Sequence, residues 1–144
     1  MRNVILAAHA TFAALWLGCI LTEVIFERVL LRKGALGRTI LAHLHVRVDK
    51  LIEIPAFAGV LLTGIAMFTH GHRSGLAFQT MLTAGIIAIA TNVYCVWLVF
   101  KRRDAAAAED WERFAALDHR QHNFGTIVLV GVLTALVAGY WAAV

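Results

Sequence analysis

The stretch HLHVRVDKLIEIP, residues 43–55, sets His45, Asp49 and Glu53 at four-residue intervals just where the chain enters a long apolar run. On a helix turning about 100° per residue these three share one stripe. Two other sets have helical spacing: Glu23 with Glu27, and Asp118 with His119 and His122. Imidazole nitrogens and carboxylate oxygens are zinc ligands, a carboxylate can bridge two ions, and clustered acids offset several positive charges in a poorly solvated site. Glu23, Glu27, His45, Asp49, Glu53, Asp118, His119 and His122 exceed what one tetrahedral ion needs. A centre of two or three zinc ions is therefore expected, with iron or manganese as alternatives. In such a centre a bound water becomes nucleophilic near neutral pH, and Glu53 or Asp49 serves as the base. The expected chemistry is metal-assisted hydrolysis. The ferritin-like di-iron template, with Glu-x-x-His on two helices, does not fit these spacings. His43 points away from His45 on a regular helix and stays outside the set, while Asn92 and Cys95 share a face at similar depth.

These residues need a scaffold, and composition says which kind. Hydrophobic residues make up 60% of the 144-residue chain and charged ones 15%, and the mean hydropathy is +0.75. That is far more apolar than a soluble domain, and the apolar residues come in blocks. Four blocks, 4–21, 51–68, 76–100 and 124–144, each approach the roughly 20 residues a helix needs to cross the bilayer. The blocks lack the alternation of a membrane barrel strand. The expectation is an all-α, integral membrane four-helix bundle occupying residues 1–144 as one domain. The N-terminal run that ends near WLGC reads as a retained first span rather than a cleaved leader. Cys19 and Cys95 fall inside apolar runs and read as small core residues, not a disulfide. The single proline, Pro55, is expected to kink or adjust the second helix.

Basic residues set the expected orientation. Of 13 Lys and Arg, only Arg2 and Arg73 fall at the N-terminus and the second loop; the rest flank the first and third loops. The positive-inside bias puts those loops in the cytoplasm and both termini on the outer side of a bacterial-type inner membrane. The net charge of +4 is what this topology produces and calls for no nucleic-acid partner. All nine acids and four of the seven histidines then gather at the cytoplasmic end. They come from three helices and meet at one depth, where a small-molecule or lipid-soluble substrate would enter from the cytoplasmic side. The stretch DAAAAEDWERFAAL reads as a helical extension of the fourth span. GVLTALVAG and GIIAIA suit close helix packing, within the bundle or between protomers of a homo-oligomer. Trp97, Trp111, Tyr140 and Trp141 suit interfacial belts, and His70 and His72 read as loop residues.

Other readings of the same residues stay open. Acids and histidines at a bilayer interface can be ion-paired, here with Arg28, Arg47, Lys50 or Arg120. A ligand-rich inner half also suits a metal or proton transporter. On the opposite side HATFAALWLG places His9 seven residues before Trp16, on one face of the first span. This stretch, IPAFAGVLLTGIAMF in the second span and FKRR closing the third resemble the four-helix membrane protoporphyrinogen oxidases and the related copper-resistance D-type membrane domains. The resemblance implies a four-helix membrane fold and makes His9 a ligand of haem b in a redox protein. Where that family carries a functional lysine near the start of its third span, the chain reads FQTMLTAG.

Overall fold

Long apolar blocks interrupted by one proline leave the backbone little choice in hydrocarbon, because every N–H and C=O must bond within its own segment. The computed structural model describes residues 2–69 and 75–143, and among these it contains helices and short turns only. His70, His72 and Arg73 lie outside the described residues. Helix α1 (Arg2–Leu31) is followed by α2 (Gly34–Val48), a five-residue π segment (Asp49–Glu53), α3 (Ile54–Thr69), α4 (Leu76–Ala107) and α5 (Trp111–Ala143). The α2, π and α3 segments form one unbroken helix of 36 residues, and with it four helices are long and apolar enough to cross a membrane. At 1.5 Å per residue each reaches about 45 Å or more, well beyond the roughly 30 Å of a hydrocarbon core.

The four rods alternate in direction, so the two termini share one end of the bundle and the two tight turns share the other. Segments expected as loops on either side of these turns are helical. The first turn is only Arg32 and Lys33, with Gly34 at φ +67°. The second is closed by Glu109 at φ +54°, after which the Asp110 carboxylate accepts the Arg113 N–H at 3.0 Å and caps α5. The stretch DAAAAEDWERFAAL is therefore divided: Asp104 to Ala107 end α4, and only residues from Trp111 onward extend the fourth span. The reason is packing, since Leu41, Ala42, Ala105, Ala106 and Phe114 build a second buried cluster at the turn end. Alanine, leucine and arginine in these segments also favour helix.

Apolar residues cover the surface as well as the core, and the buried polar side chains gather in the interior. Leu62, Ile86 and Val130 are more than half exposed, and Thr11, Thr22 and Thr126 turn their hydroxyls back onto the carbonyl four residues earlier. Both cysteines are buried and free. The main apolar cluster surrounds Trp16, Phe57, Ala88, Val128 and Val132. Glycines admit close approach where helices cross, with the Phe12 ring lying against Gly59 and Ala88 against Gly131. The tightest approach is at the first turn, where a Cβ on Gly37 would collide with the Leu30 carbonyl oxygen. Gly37→Ala is expected to lower stability by about 1–3 kcal/mol, because the obstacle is backbone that cannot rotate away. Thermal unfolding in mild detergent checks this, and an unchanged midpoint would refute the contact.

Pro55 adjusts its helix, as expected, and the form of the adjustment is the π segment just before it. Proline has no N–H to give the Leu51 carbonyl, and its ring crowds that oxygen. The ladder widens by one residue, and the Ile54 N–H reaches back five positions to the Asp49 carbonyl. Such π turns concentrate at functional sites. Here the wide turn is bounded by the two acids Asp49 and Glu53, both of which face the interior.

Candidate metal centre

Between the two apolar clusters, polar side chains from every rod converge on a cavity of about 90 Å³. The long second helix supplies His45, Asp49 and Glu53, α1 supplies Glu23 and Glu27, α4 supplies Asn92 and Cys95, and α5 supplies Gln121 and His122. Glu23, His45, Asp49, Glu53 and Asn92 are all buried. One ligand atom each from Glu23, His45 and Asp49 lie within 4.8 Å of one another. This is a His/carboxylate cluster able to coordinate a divalent metal ion.

The fixed positive charge of the region is Arg102, which is 0% exposed. Its Nη1 donates to Glu27 Oε1 at 2.8 Å and also to Asp118 Oδ1, and its Nη2 donates to His45 Nδ1. The guanidinium group lies against the Phe114 ring, 5.6 Å from its centroid. A guanidinium has donors only, so His45 accepts through Nδ1 and carries its ring proton on Nε2. That nitrogen is 3.1 Å from Glu23 Oε2 and 3.4 Å from the Gln121 amide. The second oxygen of Glu23 takes a long contact from Cys19 Sγ at 3.9 Å. Arg102 thus holds the imidazole in one orientation and one tautomer.

The acids divide into two groups. Glu27 and Asp118 share Arg102 as their ion-pair partner. Glu23, Asp49 and Glu53 have no Lys or Arg within ion-pair distance among the described residues. Neither carboxylate oxygen of the fully buried Asp49 has an N–H or hydroxyl donor; the groups beside it are the carboxyls of Glu23 and Glu53, and Asn92 lies beside Glu53. A charged oxygen pair sealed from water with no donor costs several kcal/mol. A cation between Glu23, His45 and Asp49 removes that cost.

The structure brings together six of the eight residues expected as ligands by placing Glu23, Glu27, His45, Asp49, Glu53 and His122 on the cavity wall. His122 is at the rim, its side chain 61% exposed and Nδ1 3.9 Å from Glu27 Oε2. Asp118 faces Arg102 rather than the cavity. His119 stays outside, exposed and 3.3 Å from the Asn123 amide. The inward stripe of α5 runs through Phe114, Asp118, Gln121, Gly125 and Val128, and His119 lies about 100° off it. Arg28, Arg47, Lys50 and Arg120, the cations available for interfacial pairing, make no ion pair among the described residues. His9 belongs to a different place, about 20 Å along α1 from Glu23. Its Nδ1 is 2.9 Å from Thr63 Oγ1 on α3, and Thr63 in turn donates to the Gly59 carbonyl at 2.5 Å.

Arg102 and Gln121 are the site residues that spacing arguments missed. In FKRR, Arg102 looks like one of three topological charges, yet Ala88, Asn92, Cys95, Val99, Arg102 and Ala106 follow an unbroken four-three alternation. Extending the Asn92–Cys95 face by two turns finds it. The chain matches no known family profile, no curated protein and no solved structure.

Proposed function

We propose that the protein is a membrane-embedded metalloenzyme in which Glu23, His45 and Asp49 hold a zinc ion, and that it hydrolyses an acyl ester or amide. The buried carboxyl of Asp49, which has no N–H or hydroxyl donor and faces Glu23, carries this reading, because a cation bound there offsets the cost of burying its charge. Three protein ligands with an open side toward a cavity are the pattern of catalytic rather than structural zinc. When bound, the ion supplies Lewis acidity toward a carbonyl and a more acidic water. Glu53, buried on the cavity wall and without a Lys or Arg partner, would serve as the general base and hold the proton at its carboxylate. The Asn92 amide, on the same wall beside Glu53, would serve as donor to an oxygen on which negative charge develops. Arg102 orients His45 from behind, and loading the ion at Nε2 releases the proton now shared with Glu23. Iron or manganese would suit a more oxygen-rich ligand set, and a second ion would draw on Glu27 and His122 at the rim. The basic residues gathered at the turn end favour a cytoplasmic placement of the site.

Plasma mass spectrometry on protein purified in mild detergent, without chelator or nickel resin, tests the proposal. The expected result is about one zinc per chain, lost in Asp49→Ala and in His45→Ala but kept in His119→Ala. Chain purified free of stoichiometric metal, or metal that survives Asp49→Ala, would overturn it.

A further inference from the structure

We infer that the site is served by a lateral portal between α1 and α5, through which it admits the uncharged head of a single-chain amphiphile while the chain stays outside along the seam. The inference rests on the hydrolytic reading for the fate of the head, but not for its binding.

The geometry of the cavity points to that seam. Its deep wall is Asp49, Glu53, Asn92 and their neighbours, all buried, whereas its less buried lining is Val24 and Glu27 on α1, His122, Gly125, Thr126 and Leu129 on α5, and Val96 on α4, the helix that packs along α5. These two helices meet only sparsely, while α4 and α5 pack along their length. At Gly125 an added Cβ would find nothing within 4 Å, so the backbone there borders open space. A cavity of about 90 Å³ holds several waters or a head of a few heavy atoms. Pockets that enclose whole small molecules run to roughly 300–1,000 Å³, so the rest of a substrate has to lie outside.

What lies outside is apolar. Toward the terminal end the stripe on α5 continues as Leu129, Val132, Leu133 and Leu136, and the stripe on α1 continues backward as Leu17, Ala14 and Ala13, with no polar side chain on either. Toward the turn end the rim carries His122 and Glu27. Polar above and apolar below, the mouth sits on the boundary where an amphiphile also changes character. Charge selects the head. Arg102, the one fixed cation of the set, pairs with Glu27 and Asp118, while Glu23, Asp49 and Glu53 line the cavity without a Lys or Arg, so the site holds more carboxyl groups than fixed positive charges. An anionic head is repelled and a neutral ester or amide head is accepted.

The test uses an ether-linked monoalkylglycerol, which cannot be hydrolysed, carrying a diazirine in its chain. The full-length protein is labelled by light in mild detergent, and adducts are mapped by peptide mass spectrometry. Adducts concentrated on the seam faces of α1 and α5 are expected, competed by unlabelled monoalkylglycerol but not by an alkyl phosphate. Gly125→Trp, which fills the mouth from a position with open space, should reduce them about tenfold. Thr126→Phe, at an exposed position, should do the same if the tryptophan variant fails to fold. Gly85→Trp, at an equally open position away from the cavity, should leave them unchanged. Labelling spread evenly over all outward faces, undiminished by either mouth variant, or competed equally by alkyl phosphate would overturn the portal. Neither metal nor turnover enters the readout, so the portal and the hydrolytic reading can fail separately.

Discussion

Arg102→Met is expected to destabilise the bundle by about 2–4 kcal/mol, because it strands the part-buried carboxylates of Glu27 and Asp118 without their cation. The arginine is wholly buried, bonds to side chains on α1, α2 and α5 at once and lies against Phe114. A denaturant titration in detergent micelles reads the loss. The control separates charge from packing: adding Glu27→Gln and Asp118→Asn to Arg102→Met removes the stranded charges and should recover most of the stability. Zinc affinity provides a second readout. With the donor to His45 Nδ1 gone the imidazole is free to turn, and affinity should fall about 10–100-fold. A variant as stable as the parent would mean that Arg102 is not the hub its contacts describe.

Asp49→Leu is expected to move stability and function in opposite directions. In ion-free protein the substitution replaces a buried, donorless carboxylate with a side chain of similar volume and should stabilise the fold by about 1–4 kcal/mol. The parent, but not the variant, should then gain about 2.7 kcal/mol when zinc is present at 100 times its dissociation constant. Thermal melts of both proteins with chelator and with zinc give the four numbers needed. An Asp49→Leu protein less stable than the parent in chelator would show that Asp49 has a structural partner, and would remove the argument for a cation. The pattern expected is that of a functional group retained against the stability of its own scaffold.

The four rods and the inward register of Glu23, His45, Asp49 and Glu53 were legible in the sequence, because apolar blocks specify helices in a membrane and four-residue spacing specifies a face. The turn end was less legible. Helical spacing marks Glu23 with Glu27, His45 with Asp49, and the stretch from Asp104 to Leu117, but the turns themselves at 32–33 and 108–110 carry little signal beyond Gly34, and alanines at 42, 105 and 106 with Phe114 pack the flanks together. Basic residues on flanks were read for topology, which hid the one arginine that points inward. His119 was grouped with Asp118 and His122 by proximity in the chain, although Phe114, Gln121 and Val128 mark the buried stripe and leave it out. The π segment has almost no signature beyond Pro55, since a ladder that reaches back five residues rather than four changes which carbonyl is bonded, not which residue types are required.

The halves of the chain contribute unequally to the centre, and this bears on how the protein is made. Glu23, Glu27, His45, Asp49 and Glu53 all precede the α3–α4 connection, while Arg102 follows it. A ribosome adding about 5–20 residues per second therefore delivers the four acids of the first hairpin seconds before the arginine that partners one of them. In that interval the carboxyls of the first hairpin stand together without their arginine, and the second hairpin then brings the positive charge that pairs with Glu27. Charge balance in the buried centre is therefore completed only when the two hairpins dock.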